Sequence, residues 1–242
     1  MRLYLLAGQS NMAGRGTVAP EDQMPNAHVW MLDSTGTWLP AVDPVHFDKP
    51  KLVGVGPGRA FAIARWMQDS SVDIGLVPTA VGGTSIRAWD PGALEAATNT
   101  HPLDDAIRRI RIARVQGTFD GILRHQGESD ANARGATEYE VRLRAVIARL
   151  RDATGNPNTV FLIGALGQFS GQPPNAYRAQ VDSVHCAVAT STPRAAYVSS
   201  LGLQHRGDAV HFDAASAREF GRRYAVAFLQ VRLGTVVGCR VR

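Results

Sequence analysis

The chain has 242 residues, 45% of them hydrophobic and 19% charged, with a formal net charge of +5 at pH 7. That length and apolar content suffice to bury a full core, so one α/β domain spanning residues 1–242 is expected, and no run of roughly 18 apolar residues exists to span a bilayer. The positive excess is almost all arginine, Lys49 and Lys51 being the only lysines, a bias that reflects base composition rather than a nucleic-acid footprint.

In chain order, residues 3–7 form an apolar run that reads as a short buried strand, too short for a signal peptide, and it leads into Gly8-Gln9-Ser10-Asn11. Glycine accepts backbone angles closed to other residues, and Gln9 and Asn11 supply hydrogen bonds in a tight loop, so a serine hydroxyl can be held at the sheet edge. Residues 14–57 are rich in Pro, Gly, Asp and Trp and lack sustained periodicity. They read as an irregular excursion near the site, with Trp30 and Trp38 as packing beneath it. Residues 74–78 are the next strand, followed by Gly82-Gly83-Thr84-Ser85 and then Arg87 and Trp89.

Leu103, Ala106, Ile107 and Ile110 draw one helical stripe, and the arginines beside it, Arg108, Arg109, Arg111 and Arg114, read as a solvated face. A strand at 121–124 leads into His125-Gln126-Gly127-Glu128. Leu143, Val146, Ile147 and Leu150 repeat at helical intervals, strands follow at 160–166 and 196–199, and Phe220, Tyr224, Ala227, Phe228 and Val231 mark a final helix. Alternation of this kind predicts a parallel sheet covered on both faces, with functional loops at the carboxyl ends of its strands. Cys186 and Cys239 have no neighbour at metal-ligand spacing. They read as a buried thiol and a tail residue, with one bridge between them open to an oxidising compartment.

Ser10 and the segment Asp208-Ala209-Val210-His211 supply a nucleophile, an acid and a base in the order used by several α/β esterases. In acyl transfer, Ser10 would attack the carbonyl and His211 would take its proton, while Asp208, three residues away, would fix the imidazole tautomer. Donors for the oxyanion are expected from the Ser10 N–H, a backbone N–H at Gly82 or Gly83, and the Gln126 side-chain amide. His125 reads either as a structural histidine or as a second base. Glu128 is expected to stiffen Gln9, His125 or His211, and it competes with Asp208 for the acid role. Arg87 and Trp89 are candidates for binding a sugar by charge and by stacking, or else loop packing.

The four segments from Ser10 to His211 resemble the ordered blocks of the SGNH hydrolase superfamily, in particular its carbohydrate esterase family 6 and sialate O-acetylesterase-like branch. Ser10 matches the nucleophile, Gly83 (or Gly82) the second block's glycine, Gln126 the amide donor in place of the superfamily's asparagine, and Asp208 with His211 the last block. The resemblance implies a three-layer α/β/α flavodoxin-like fold and removal of acetyl groups from sugar hydroxyls, with no cofactor or metal. Hydrolysis of short-chain lipids or thioesters, or carbohydrate binding without turnover, are the competing readings on the same scaffold.

Overall fold

Residues 1–235 and Cys239 are described by a computed structural model, in which the apolar run at the amino terminus becomes β1 (Arg2–Gly8), the central strand of a seven-stranded sheet. The serine follows at once in a one-turn helix, α1 (Ser10–Ala13). The remaining strands are β2 (Val29–Leu32), β3 (Trp38–Pro40), β4 (Ile74–Pro78), β5 (Thr118–His125), β6 (Val160–Gly164) and β7 (Ala195–Val198). They lie in the order β3-β2-β4-β1-β5-β6-β7, parallel throughout except for the antiparallel edge pair β2 and β3. The longer helices are α2 (Pro57–Gln68), α3 (Pro102–Ala113), α4 (Ala133–Thr154), α5 (Ala176–Ser191) and α6 (Ala214–Arg232).

Side chains alternate across the sheet. Along β1, Leu3, Leu5 and Ala7 join a core built with α3, α4 and α5, whereas Tyr4 and Leu6 join a second core built with α2 and α6. The result is the expected three-layer α/β/α sandwich, and burial on both faces is why these strands read as continuous apolar runs. Because β4 and β5 flank β1 in parallel, the loops that follow all three leave the same edge of the sheet.

Capping sets the helix starts. Asn132 accepts the Gly135 N–H at 3.0 Å to open α4, Asp213 accepts the Ser216 N–H at 2.7 Å to open α6, and Asn175 caps the start of α5. No helix among the described residues is long and apolar enough to cross a membrane.

Several expectations are corrected. The excursion at 14–57 is not wholly irregular, since it carries β2 and β3. Arg109 does not lie on a solvated face: it is 4% exposed and donates to the carbonyls of Leu32, Asp33 and Pro78 at 2.6, 2.9 and 2.9 Å. Burial, reinforced by neighbouring Arg108, lowers its guanidinium to about 10. The two cysteines form a disulfide that ties α5 to the tail. Trp38 packs against the first core, as the packing reading of the excursion's tryptophans expects.

Candidate active site

Backbone pairing carries on past the strand ends and brings the loops together. Gln9 donates its N–H to the His125 carbonyl at 2.9 Å, and Val81 donates to the Gly8 carbonyl at 3.0 Å. Gly8 makes this approach possible: its φ is +140°, and a Cβ there would lie 1.9 Å from the His125 carbonyl oxygen. Gly127, in the loop after β5, is also at φ +140°, and there a Cβ would lie 2.8 Å from the Val181 side chain.

Ser10, 6% exposed, faces the loop that ends the last block. His211 Nε2 stands 3.1 Å from Ser10 Oγ, and His211 Nδ1 stands 2.8 Å from Asp208 Oδ2. The second Asp208 oxygen accepts the Val210 and His211 N–H groups at 2.9 and 2.8 Å, a local turn that fixes the carboxylate under the imidazole. Burial alone would raise this carboxyl, but the backbone and imidazole of His211 and the Val210 N–H outweigh it and hold it at about 2. With Nδ1–H donated to a carboxylate, the Nε2 lone pair is turned toward the serine hydroxyl, so the chain of contacts can accept a proton from Ser10.

Asn11, expected to supply hydrogen bonds within the Ser10 loop, reaches farther and locks this arrangement. Its Nδ2 donates to Glu128 Oε1 at 2.6 Å and to the Val210 carbonyl at 3.0 Å, while its Oδ1 accepts the Phe212 N–H at 3.1 Å. It thereby grips the backbone on both sides of His211. Its place beside Ser10 in a tight loop signals hydrogen bonding, but not these partners. Glu128 accordingly bears on Asn11 rather than on His211, with His125 Nδ1 3.5 Å away.

The other predicted residues divide sharply. His125 is fully buried, bonds the Ala165 carbonyl through Nε2 at 2.9 Å and packs edge-on against Phe212 and Phe220, and burial lowers its pKa. It is a structural histidine. Gln126, 1% exposed, spends its amide on Asp130 Oδ2, the Thr84 carbonyl and Gln9 Oε1 at 2.6, 3.1 and 3.3 Å. The expectation of a free oxyanion donor there is corrected, because no amide proton is left over. Gln9 Oε1 also accepts the Gly127 N–H at 3.2 Å, so Gln9 braces the third loop against the first.

Of the paired glycines, Gly82 gives its N–H to Asp48 Oδ2 at 2.7 Å, whereas the N–H groups of Gly83 and Ser10 have no protein acceptor among the described residues. Trp89 is fully buried beneath the Arg124 guanidinium, 4.8 Å from its ring centroid, and so cannot stack on a sugar. Arg87 is half-buried and paired with Glu138 on α4.

A model of the carbohydrate esterase, sialic acid-specific acetylesterase family matches residues 1–230. The chain belongs to that family. This esterase is 30% identical over 253 residues to a probable carbohydrate esterase of Arabidopsis thaliana, covering 94% of this chain and 90% of that one. The Arabidopsis crystal structure superposes with a TM-score of 0.82, covering 95% and 98% of the two chains. A carbohydrate acetylesterase from Xanthomonas citri shares the fold with a TM-score of 0.74 at 22% identity, covering 98% of this chain and 57% of that one. NanS does so with a TM-score of 0.70 at 16% identity, covering 96% and 98%. The esterase is therefore a carboxylic ester hydrolase of the carbohydrate esterase group with an SGNH-type fold.

Proposed function

We propose that the protein removes O-acetyl groups from a carbohydrate through an acetyl-enzyme, with Ser10 as nucleophile, His211 as general base and acid, and Asp208 as the group that orients and stabilises the imidazolium. The observation that carries this reading is the unbroken chain from Ser10 Oγ to His211 Nε2 at 3.1 Å and from His211 Nδ1 to Asp208 Oδ2 at 2.8 Å. The family description and the acetylesterase named among the structural relatives support acetyl as the group removed.

In the first half-reaction the Ser10 hydroxyl passes its proton to His211 Nε2 as Oγ bonds to the acetyl carbonyl carbon. The negative charge gathers on the carbonyl oxygen, facing the Ser10 and Gly83 N–H groups. Collapse breaks the bond to the sugar oxygen, which takes the proton from Nε2 and leaves as a hydroxyl. Water then attacks the acetyl-serine with its proton going to Nε2, and acetate departs as Ser10 Oγ is reprotonated. Gln126 and Gln9 act indirectly, by holding the loops in register.

Acetate release from acetylated xylan, acetylated sialic acid, peptidoglycan fragments and aryl acetates tests the reading, together with labelling by a fluorophosphonate. Wild type should label and the Ser10→Ala variant should not, with a loss of at least ~10⁴ in kcat. A marked preference for acetyl over butyryl esters is expected of a carbohydrate O-acetylesterase, and equal or better turnover of long acyl esters would favour a lipid substrate. Absence of turnover on every acetyl ester would sink the proposal.

A further inference from the structure

The excursion between β1 and α2 returns charged side chains to the site from both of its ends. Its neck is closed by backbone bonds, Gly16 with Val55 and Gly54 N–H to the Gly14 carbonyl at 3.1 Å, so Arg15 at one end lies close to residues near the other. Arg15 Nη2 meets Asp48 Oδ2 at 3.0 Å, and both side chains are nearly buried at 5% and 2% exposure. The same Asp48 oxygen accepts the Gly82 N–H at 2.7 Å. On the far side of the turn, the Ser129 hydroxyl donates to the Gly83 carbonyl at 3.0 Å.

These two anchors sit on the peptides that flank the Gly82–Gly83 peptide. A peptide unit is planar, so the Gly82–Gly83 unit turns only as a block about the line joining its two Cα atoms, and the anchors hold the two flanks that set where that line runs. Gly83 is at φ +86°, a conformation open to glycine at no steric cost, so the turn adopts it without strain while the anchors hold its two flanks. A carboxylate suits the task because a charge-assisted bond to an N–H is shorter and about twice as strong as a neutral one. Arg15 supplies the counter-charge that a buried carboxylate needs, and its other nitrogen donates to the Gly14 carbonyl at 2.7 Å. Arg206, whose Nε lies 3.6 Å from Asp208 Oδ2, donates to the Arg15 carbonyl at 2.7 Å, so the turn and the acid loop hang on the same segment.

We infer that Asp48 is a positioning residue for the oxyanion turn: by holding the Gly82 N–H it directs the Gly83 N–H at the oxygen that becomes negative during acyl transfer. This rests on the esterase reading above. Removing an oxyanion donor outright costs ~10²–10³ in turnover, and turning one away from its target costs somewhat less.

The test compares wild type with Asp48→Ala and Asp48→Asn on an aryl acetate, with active sites counted by fluorophosphonate labelling. A small alkylboronic acid, whose tetrahedral adduct on Ser10 places an oxygen in the oxyanion position, reports on the turn directly. For Asp48→Ala, kcat per labelled site should fall by about 30–100-fold with KM nearly unchanged, and boronate affinity should fall in parallel. Asp48→Asn, whose side-chain oxygen still accepts the Gly82 N–H, should recover most of both. The inference is overturned if kcat per labelled site in Asp48→Ala stays near wild type, if kcat falls while boronate affinity holds, or if Asn is no better than Ala. Should Asp48→Ala not fold, amide exchange in wild type decides: the Gly82 N–H must be protected, and exchange at an exposed-loop rate overturns the assignment. Failure of wild type to hydrolyse any acetyl ester would instead bring down the esterase reading, and this inference with it.

Discussion

Two carboxylates approach the His211 loop, and their bonding partners separate their duties. Asp208 touches the imidazole of His211, whereas Glu128 accepts from Asn11 at 2.6 Å and lies 3.5 Å from His125 Nδ1. Asp208→Asn should therefore lower kcat on the order of 10³–10⁴, because an amide no longer favours the tautomer that frees Nε2. Glu128→Gln should cost less than about tenfold, since a glutamine oxygen can still accept from Asn11. Measuring kcat per labelled active site for both variants decides the matter, and the reverse ranking would move the acid role to Glu128. Asn11 gives a further contrast. Asn11→Ala loses the grip on Val210 and Phe212, but Asn11→Asp also turns an acceptor against the Glu128 carboxylate and the Val210 carbonyl. The Asp variant should be the less active and the less stable, as read from kcat and from thermal melting.

Strands buried on both faces announce themselves as apolar runs, so β1, β4, β5, β6 and β7 and the motif-bearing loops behind them were legible in the chain. β2 and β3 were not, because they are 4 and 3 residues long and sit among turn-formers at the edge of the sheet. Ser10, Asp208 and His211 could be picked out because their residue types are demanded by one chemistry. Asn11 was legible as a hydrogen-bonding residue of the Ser10 loop but its partners were not, and Asp48 and Arg15 gave no sign, because such tertiary contacts are encoded in no local pattern. Arg109 is the same lesson within a helix: the stripe on α3 was visible, but the carbonyls waiting at the ends of β2 and β4 were not. Arg109→Met would strand those carbonyls, costing about 2–4 kcal/mol and lowering Tm by roughly 6–12 °C, with hydrolysis at low temperature little changed. An unaltered Tm would mean the carbonyls find other donors.

The excursion carries buried ionisable groups, among them Asp43 and His46, and these two give the whole molecule a testable pH response. Burial, with Asp22 adding to it, raises the Asp43 carboxyl to about 7 against the opposing pull of Arg59, while burial lowers His46 to about 4. Asp43 keeps its proton in the folded chain up to about pH 7 but loses it near 3.8 when unfolded, so the folded state binds more protons in that window and stability falls as pH rises. His46 works in the opposite sense: unfolding lets it bind a proton below 6.5 that the folded chain accepts only below about 4, so stability falls as pH drops. Between about pH 4 and 6.5 the two slopes oppose each other, so each shows in urea unfolding as the difference between wild type and the variant that lacks the group. Asp43→Asn removes the falling slope and should leave stability rising with pH by up to ~1.4 kcal/mol per unit, whereas His46→Gln should leave stability falling across the same interval. Parallel profiles for wild type and both variants would show that neither group titrates differently on folding, and any pH response would then have to come from elsewhere.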